Sequence, residues 1–486
     1  MDTRALKRLA FSLGLCAAVG NLSAQVTLAT LHSFGGFPGN DGANPTAGLV
    51  QGSDGNFYGT TYQGGTSNSG TVFRMSPGGS LTTVWAFHLD LNPAVGDWDG
   101  INPYGGLVQD SSGYFYGTTL SGGTNNGSGT VYQITAGGSL TNLHTFAVTG
   151  DPGDGFLPEA GLVQGSDGSF YGTTLSGGGI LNAGTVFRID PSGNNYTILH
   201  SFTDTPDGAE PSAGLVQGTD GNFYGTTYAG GTKGDGTVFQ ITTNGTVTIL
   251  HHFNQGIGDG AGPNGTLIQG SDGNFYGTTY TGGKYGGSGT VFRISSSGVY
   301  SNLYSFGAFP GDGAAPLAGL VQGSDGNFYG TTFQGGMTNG LAGDGTVFRI
   351  SRGGVYTNLY SFVSSRGDGA NPEAGLVQGY DGAFYGTTYL GGTNTPANGT
   401  VFKLVVPLNP PANQISAIRI VGTNVLVSIP SVAGEIYYLQ YRRSLIVGTW
   451  LNVASGPVTS PGGLLTVTDV GGALPLRRFY RFAITP

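Results

Sequence analysis

Cysteine occurs once in 486 residues, at Cys16, tryptophan and methionine occur three times each, and charged residues make up only 9% of the chain. With one cysteine there is no thiolate metal cluster and no disulfide framework, so stability outside a cell has to come from packing and sheet closure. The formal charge is −9. A chain this acidic and this poor in lysine and arginine is a weak match for nucleic acid or an anionic membrane. G-x-S-x-G, H-E-x-x-H and a cysteine nucleophile are all absent, which leaves no legible catalytic constellation and implies no cofactor. No apolar run reaches the ~20 residues that a spanning helix needs.

What is abundant is glycine, 94 residues of it, falling at fixed places and not in low-complexity tracts. The stretch 48–87, GLVQGSDGNFYGTTYQGGTSNSGTVFRMSPGGSLTTVWAF, returns in recognisable form seven times, with its "L-V-Q" leucine at Leu49, Leu107, Leu162, Leu215, Leu267, Leu320 and Leu376. The copies are 52 to 58 residues apart. Each holds four runs rich in Val, Phe, Tyr and Thr, separated by Asp-Gly, Gly-Gly and Pro-Gly, which are hairpin signals. Four short antiparallel strands per period predict the blades of an all-β, seven-bladed β-propeller. A β-solenoid is the other fold considered, but its coils repeat at shorter periods.

The ends of the chain carry three expectations. Residues 1–24 have a basic start (Arg4, Lys7, Arg8), an apolar run and a small-residue exit, the layout of a secretory signal peptide. Its removal takes away Cys16, three basic residues and one acidic one, so the mature charge is −11. The propeller spans 25–406. Its last copy stops after three strands, while residues 26–34, VTLATLHSF, form a lone fourth strand before the first copy, so the N-terminal strand is expected to close the ring by completing the last blade. A stiff linker, PLNPPANQ, follows at 407–414, and residues 415–486 read as a small β-sandwich of immunoglobulin or fibronectin type III kind.

The run V-Q-G-S-D-G-N-F-Y-G-T-T, then G-G, then G-T-V-F-R-I, resembles the GloVer tandem repeat family of bacterial secreted proteins, which carry alternative C-terminal anchors. The resemblance covers residues 26–406. It implies export, surface association and no established enzymatic activity. The chain lacks the short membrane-sorting tail of many such proteins, so attachment by the C-terminal domain is open.

Candidate sites follow from where the copies differ. The turns between strands one and two, and three and four, keep their length; the loops on the opposite rim do not, and loops on a rigid scaffold are where binding residues collect. The loop after Phe87 is enlarged and carries Asp97, Trp98 and Asp99, suited to stacking on a sugar ring or equally to local packing. Lys233, Lys284 and Tyr285 lie on the same rim, as do Glu159, Glu210 and Glu373. Every inter-blade loop also contains Asp-Gly-x-x-Pro, at Asp41, Asp99, Asp154, Asp207, Asp259, Asp312 and Asp368. One reading is a metal-attracting acidic ring; the other is that each aspartate bonds amides of its own turn. Neighbours ~10 Å apart in water repel by only about 0.4 kcal/mol, so no cation is needed to hold them. The histidines, interchangeable with tyrosine between copies, read as structural.

The functional expectation is an exported, monomeric, non-catalytic scaffold, secreted or held at the cell surface, binding a polysaccharide or a surface protein through the variable rim. The alternatives are a polysaccharide hydrolase or lyase using rim carboxylates, and a structural or adhesive surface component.

Overall fold

The computed structural model describes residues 26–88, 97–124, 127–147, 154–337, 343–395, 397–406, 417–421, 424–431, 436–442, 451–459, 463–469 and 479–485. The leader and linker read at 1–24 and 407–414 lie outside these residues.

Seven four-stranded antiparallel sheets form the blades of a β-propeller. The first is built from Val50–Gln51, Phe57–Thr61, Thr71–Met75 and Leu81–Ala86 in chain order. The second strand is the same pentapeptide, F-Y-G-T-T, in every blade, and all five of its residues are buried. β-branched and aromatic residues suit a pleated surface packed on both faces. The central glycine has a steric cause: a Cβ on Gly59 would stand 2.6 Å from the Phe73 ring and 2.8 Å from Leu49. The first turn is closed by Asp54, whose carboxylate accepts from the Asn56 amide and from the Tyr58 hydroxyl, with Gly55 at φ 83°.

The innermost strand is short: in the first blade only Val50–Gln51 pairs. The residues before it form a collar about the axis, where glycines come close to the backbone of the preceding blade: a Cβ on Gly161 would lie 2.7 Å from the Gly106 carbonyl oxygen, and one on Gly319 2.2 Å from that of Thr266. Backbone contact around the axis there takes the place of ladder pairing.

The core is a set of seams between blades. One joins Tyr58, Val72 and Phe87 of the first blade to Leu107, Phe115 and Ile134 of the second. Each F-Y-G tyrosine packs on the phenylalanine of the next blade, as in Tyr58 on Phe115 at 4.1 Å and Tyr224 on Phe275 at 3.9 Å. Tyr385 of the last blade meets Phe57 of the first at 4.1 Å, so the series is continuous around the ring. Thr27–Ser33 is the fourth strand of the sheet made by Val377–Gln378, Phe384–Thr388 and Thr400–Val405, in antiparallel register from Thr27 opposite Val405 to Ser33 opposite Thr400.

Beyond the propeller, Ala417–Val421, Asn424–Ser431 and Gly463–Asp469 form one three-stranded antiparallel sheet, and Ile436–Arg442, Leu451–Thr459 and Phe479–Thr485 form another. Among the described residues there is no α-helix, and no helix is long and apolar enough to cross a membrane.

Candidate functional site

The inter-blade loops set the geometry of one face of the ring. Just before each loop proline, the backbone turns left-handed, at Asn44, Asn102, Leu157, Glu210, Gly262, Ala315 and Asn371, with φ between 54° and 61°. Only one of these is glycine. Non-glycine residues cost roughly 1–2 kcal/mol there, so the surrounding bonds must hold them. They do: the Asn102 amide donates to the Ser69 carbonyl of the preceding blade, and the Asn102 carbonyl accepts from Leu120 at the end of its own F-Y-G-T-T strand. The same pair of bonds recurs at Glu210, to Ala183 and from Tyr228. In three blades the asparagine side chain adds a bond to the carbonyl across the seam, from Asn44 to Tyr389, Asn102 to Tyr62 and Asn371 to Phe333.

This latch places two side chains per blade side by side at the mouth of the axial channel. One is the residue after the proline: Thr46, Tyr104, Glu159, Ser212, Asn264, Leu317 or Glu373. The other follows G-T-T: Tyr62, Leu120, Leu175, Tyr228, Tyr280, Phe333 or Tyr389. The first set surrounds a cavity of about 150 Å³ that takes a residue from every blade and is floored by the glycine collar. A second cavity of about 360 Å³ adjoins it through Glu159, Ser212, Asn264 and Leu317, and reaches Glu210, Tyr228 and Tyr280. Among the described residues no lysine, arginine or histidine lines either one.

The electrostatics of the mouth follow from partial burial without cations. Burial pushes the Glu373 carboxyl up to about 7, with the Tyr104 hydroxyl opposing the rise as a hydrogen-bond donor. Burial, and then the charge of Glu210, pushes Glu159 up to about 6. The Tyr104 hydroxyl is raised by burial and then by the charges of Glu373 and Glu159. Tyr62 meets the Tyr104 ring edge-on at 5.9 Å. Glu159 and Glu373 therefore keep their protons to a higher pH than an ordinary carboxyl, Glu373 longer than Glu159, and aromatic rings stand beside both acids.

The loop aspartates lie elsewhere and have partners. Each carboxylate takes a bond from the aromatic residue of an outer strand: Asp41 from His32 at 3.1 Å, Asp99 from the Trp85 indole at 2.9 Å, Asp207 from His200 and Asp259 from His251 at 2.8 Å, Asp312 from Tyr304 at 2.7 Å, and Asp368 from Tyr360. Asp154 lies 3.6 Å from His144 and accepts from Tyr196. Several also accept from loop amides, such as Gly35 onto Asp41 and Val363 onto Asp368. Histidine, tyrosine and tryptophan exchange at this place because all three can donate. Among the described residues no group of three or more His, Cys, Asp or Glu is placed to hold a metal ion.

The other sequence candidates fall on different blades. Asp97, Trp98 and Asp99 fall on the strand Asp97–Ile101, paired with Ser121–Gly123 of the second blade; the side chains of Asp97 and Trp98 lie outside the described residues. Lys233 is exposed on the fourth blade, and Lys284 and Tyr285 are exposed on the fifth. Lys233, Lys284 and Tyr285 do not line either cavity, whereas Glu159, Glu210 and Glu373 do. The residues missed from sequence are the mouth tyrosines 62, 104, 228, 280 and 389. For Tyr104 a signal was present, because the position between a fixed proline and a nearly fixed Ala-Gly changes in almost every copy; the other four follow the invariant G-T-T, where tyrosine alternates with leucine and phenylalanine as an ordinary strand-end residue would.

A family model described as the Gloeobacter/Verrucomicrobia repeat matches residues 19–180 and 158–402. The search of curated proteins found no match. Among solved structures, the extracellular domain of a hybrid two-component system from B. thetaiotaomicron is 13% identical with a TM-score of 0.48, over 94% of this chain and 55% of that one. PorZ, a surface component of the type-IX secretion system of Porphyromonas gingivalis, is 12% identical with a TM-score of 0.46, over 91% of this chain and 59% of its own. An ulvan lyase of polysaccharide lyase family 25 is 12% identical with a TM-score of 0.43, over 76% of this chain and 95% of that one. The chain thus spans between half and two thirds of the length of the first two.

Proposed function

The chain belongs to the Gloeobacter/Verrucomicrobia repeat family, and from that premise we propose that it is an exported, non-catalytic scaffold that seats a glycan or a protein segment on the channel mouth and its variable rim. One observation carries this reading. Within the segment of fixed length that joins the blades, the position after the loop proline carries six different residues in seven copies, from Thr46 to Glu373, and all seven line the cavity on the axis. Fixed neighbours with a different side chain in each blade are what a rigid scaffold needs in order to present a shaped surface. In this reading the strand Thr27–Ser33 acts as the clasp of the ring, and the two C-terminal sheets are an immunoglobulin- or fibronectin III-like sandwich serving as spacer or attachment module.

A second reading is favoured by a specific feature. Glu159 and Glu373 have carboxyls raised to about 6 and about 7, in the range of a general acid, so a polysaccharide hydrolase or lyase could use them.

The test is a polysaccharide and cell-envelope array on residues 25–486, with calcium and with chelator, comparing wild type with Tyr104→Ala and assaying supernatants for released sugars. Saturable binding lost in Tyr104→Ala without release is the expected result. Release of oligosaccharides, abolished by Glu373→Gln, would establish the enzyme reading instead. Binding indifferent to Tyr104 would remove the channel mouth as the site.

A further inference from the structure

We propose that the channel-mouth cavity binds a primary alkylammonium group, the chemistry of a lysine side chain or a polyamine, held between Glu159 and Glu373 with the ring of Tyr104 against it. This rests on the reading that the mouth is the ligand-binding face, and it narrows that reading to one charge class.

Three observations converge. The first is space: about 150 Å³ on the axis shares the walls Glu159, Ser212, Asn264 and Leu317 with about 360 Å³ beside it, room for an alkyl chain with its head group inward. The second is charge. Glu159, Glu210 and Glu373 are on the cavity walls, no basic side chain among the described residues lines them, and the whole chain carries a formal −9. An anionic ligand would meet only like charge, whereas an ammonium would find carboxylates whose ionisation burial has made costly. The third is the aromatic wall. Tyr104 stands beside Glu373 with Tyr62 edge-on to its ring, and Tyr228 and Tyr280 line the adjoining cavity with Glu210. Tyrosine faces attract organic cations, more strongly when the site is partly desolvated.

The proton balance gives the proposal its signature. The groups facing Glu373 are the hydroxyls of Tyr104 and Tyr389; those facing Glu159 are Glu210 and Tyr104. None is a cation. An arriving ammonium therefore favours the ionised carboxylates and expels their protons to solvent, while the amine, with an ordinary pKa near 10.4, stays protonated throughout. Affinity should rise with pH as Glu159 and Glu373 ionise.

The experiment is calorimetric titration of residues 25–486 with 1,5-diaminopentane, with N-acetyl-lysine amide, and with 1,5-pentanediol as the neutral chain of equal length, at pH 5 and pH 8 in buffers of different ionisation heat. The expected result is saturable binding of at least one amine at pH 8, at least tenfold weaker at pH 5, with proton release in the intermediate range and no binding of the diol. Preference for the diamine would point to a free polyamine, and preference for the lysine amide to a peptide side chain; either supports the site. Glu373→Gln and Glu159→Gln should each weaken binding at least tenfold with an unchanged melting profile at pH 5, and Tyr104→Phe should bind more tightly than Tyr104→Ala. Equal binding of diol and diamine, affinity independent of pH, or full affinity in Glu373→Gln would overturn the proposal. If the amines fail while a neutral glycan still binds in a Tyr104-dependent way, the mouth remains the binding face and only the cation assignment falls. If both fail, both readings fall.

Discussion

Tyr132 is the one tyrosine at a position that the other six blades fill with phenylalanine, at Phe73, Phe187, Phe239, Phe292, Phe348 and Phe402. Its hydroxyl is fully buried above Gly117 and has no hydrogen-bond partner. An unsatisfied buried hydroxyl costs about 1–3 kcal/mol, so Tyr132→Phe should stabilise the protein by about 1 kcal/mol or more, read as a higher denaturant midpoint at unchanged slope. At the mouth, the raised carboxyls of Glu159 and Glu373 make stability depend on pH. The folded state holds their protons more tightly than the unfolded chain, so their contribution is full below the unfolded pKa of about 4.5 and is lost as pH rises through about 6 and about 7. Each is worth on the order of 1–3 kcal/mol across that window. The double variant Glu159→Gln with Glu373→Gln should therefore lose less stability than wild type between pH 5 and pH 8, the other titrating groups being common to both; parallel curves would show that the mouth does not hold those protons.

At the scale of the blade, the seams are held by a repeated bond that one seam lacks. Thr60, Thr118, Thr173, Thr278, Thr331 and Thr387 each donate their hydroxyl to a carbonyl of the next blade, as Thr278 does to Ala318 at 2.8 Å. Thr226, the equivalent in the fourth blade, is buried without a partner. It faces the fifth copy, where Gly265 and Thr266 replace Ala-Gly, and the Thr266 hydroxyl takes up the Gly214 amide at 3.1 Å. Thr226→Val should therefore be neutral or mildly stabilising, whereas Thr278→Val should cost roughly 1–2 kcal/mol by leaving a buried carbonyl unmet; equal losses in chemical denaturation would contradict this account of the seams. The second copy shows how far pattern alone could be read. Its Ser112 breaks the Asp-Gly turn of the other blades, yet Asp110 supplies the missing carboxylate to Tyr116 at 3.2 Å and to the amides of Ser112 and Tyr114 at 2.9 Å. A carboxylate moved two places along the chain is invisible to a motif but equivalent in space.

For the whole molecule, the blade number and strand types were legible because both are periodic along the chain, in the spacing of Leu49 to Leu376 and in the invariant F-Y-G-T-T. The channel-mouth site was only half legible. Glu159, Glu210 and Glu373 fell on the right rim by loop counting, but their meeting with Tyr62 and Tyr104 is a product of the ring, which brings residues hundreds of positions apart to one axis. The ring itself depends on its seventh seam. There Thr387 donates to the Ala47 carbonyl, the Tyr380 amide to Gln51, and Phe34 is fully buried among Leu49, Phe73 and Val401. The strand Thr27–Ser33 adds six paired positions along Thr400–Val405, and the Phe34 amide bonds to the Gly399 carbonyl. With ladder bonds at about 0.5–1.5 kcal/mol each and burial of one phenylalanine at about 2–3, its removal should cost several kcal/mol and expose an open sheet edge. Deleting residues 26–34 should lower the melting temperature by several degrees and produce oligomers in size-exclusion chromatography, and a synthetic peptide of residues 26–34 should restore both by strand addition. A deletion variant that stays monomeric and melts with the full-length protein would mean that the first and seventh blades hold together without the strand, and the ring would then owe its closure to the aromatic contact of Tyr385 with Phe57 and its neighbours alone.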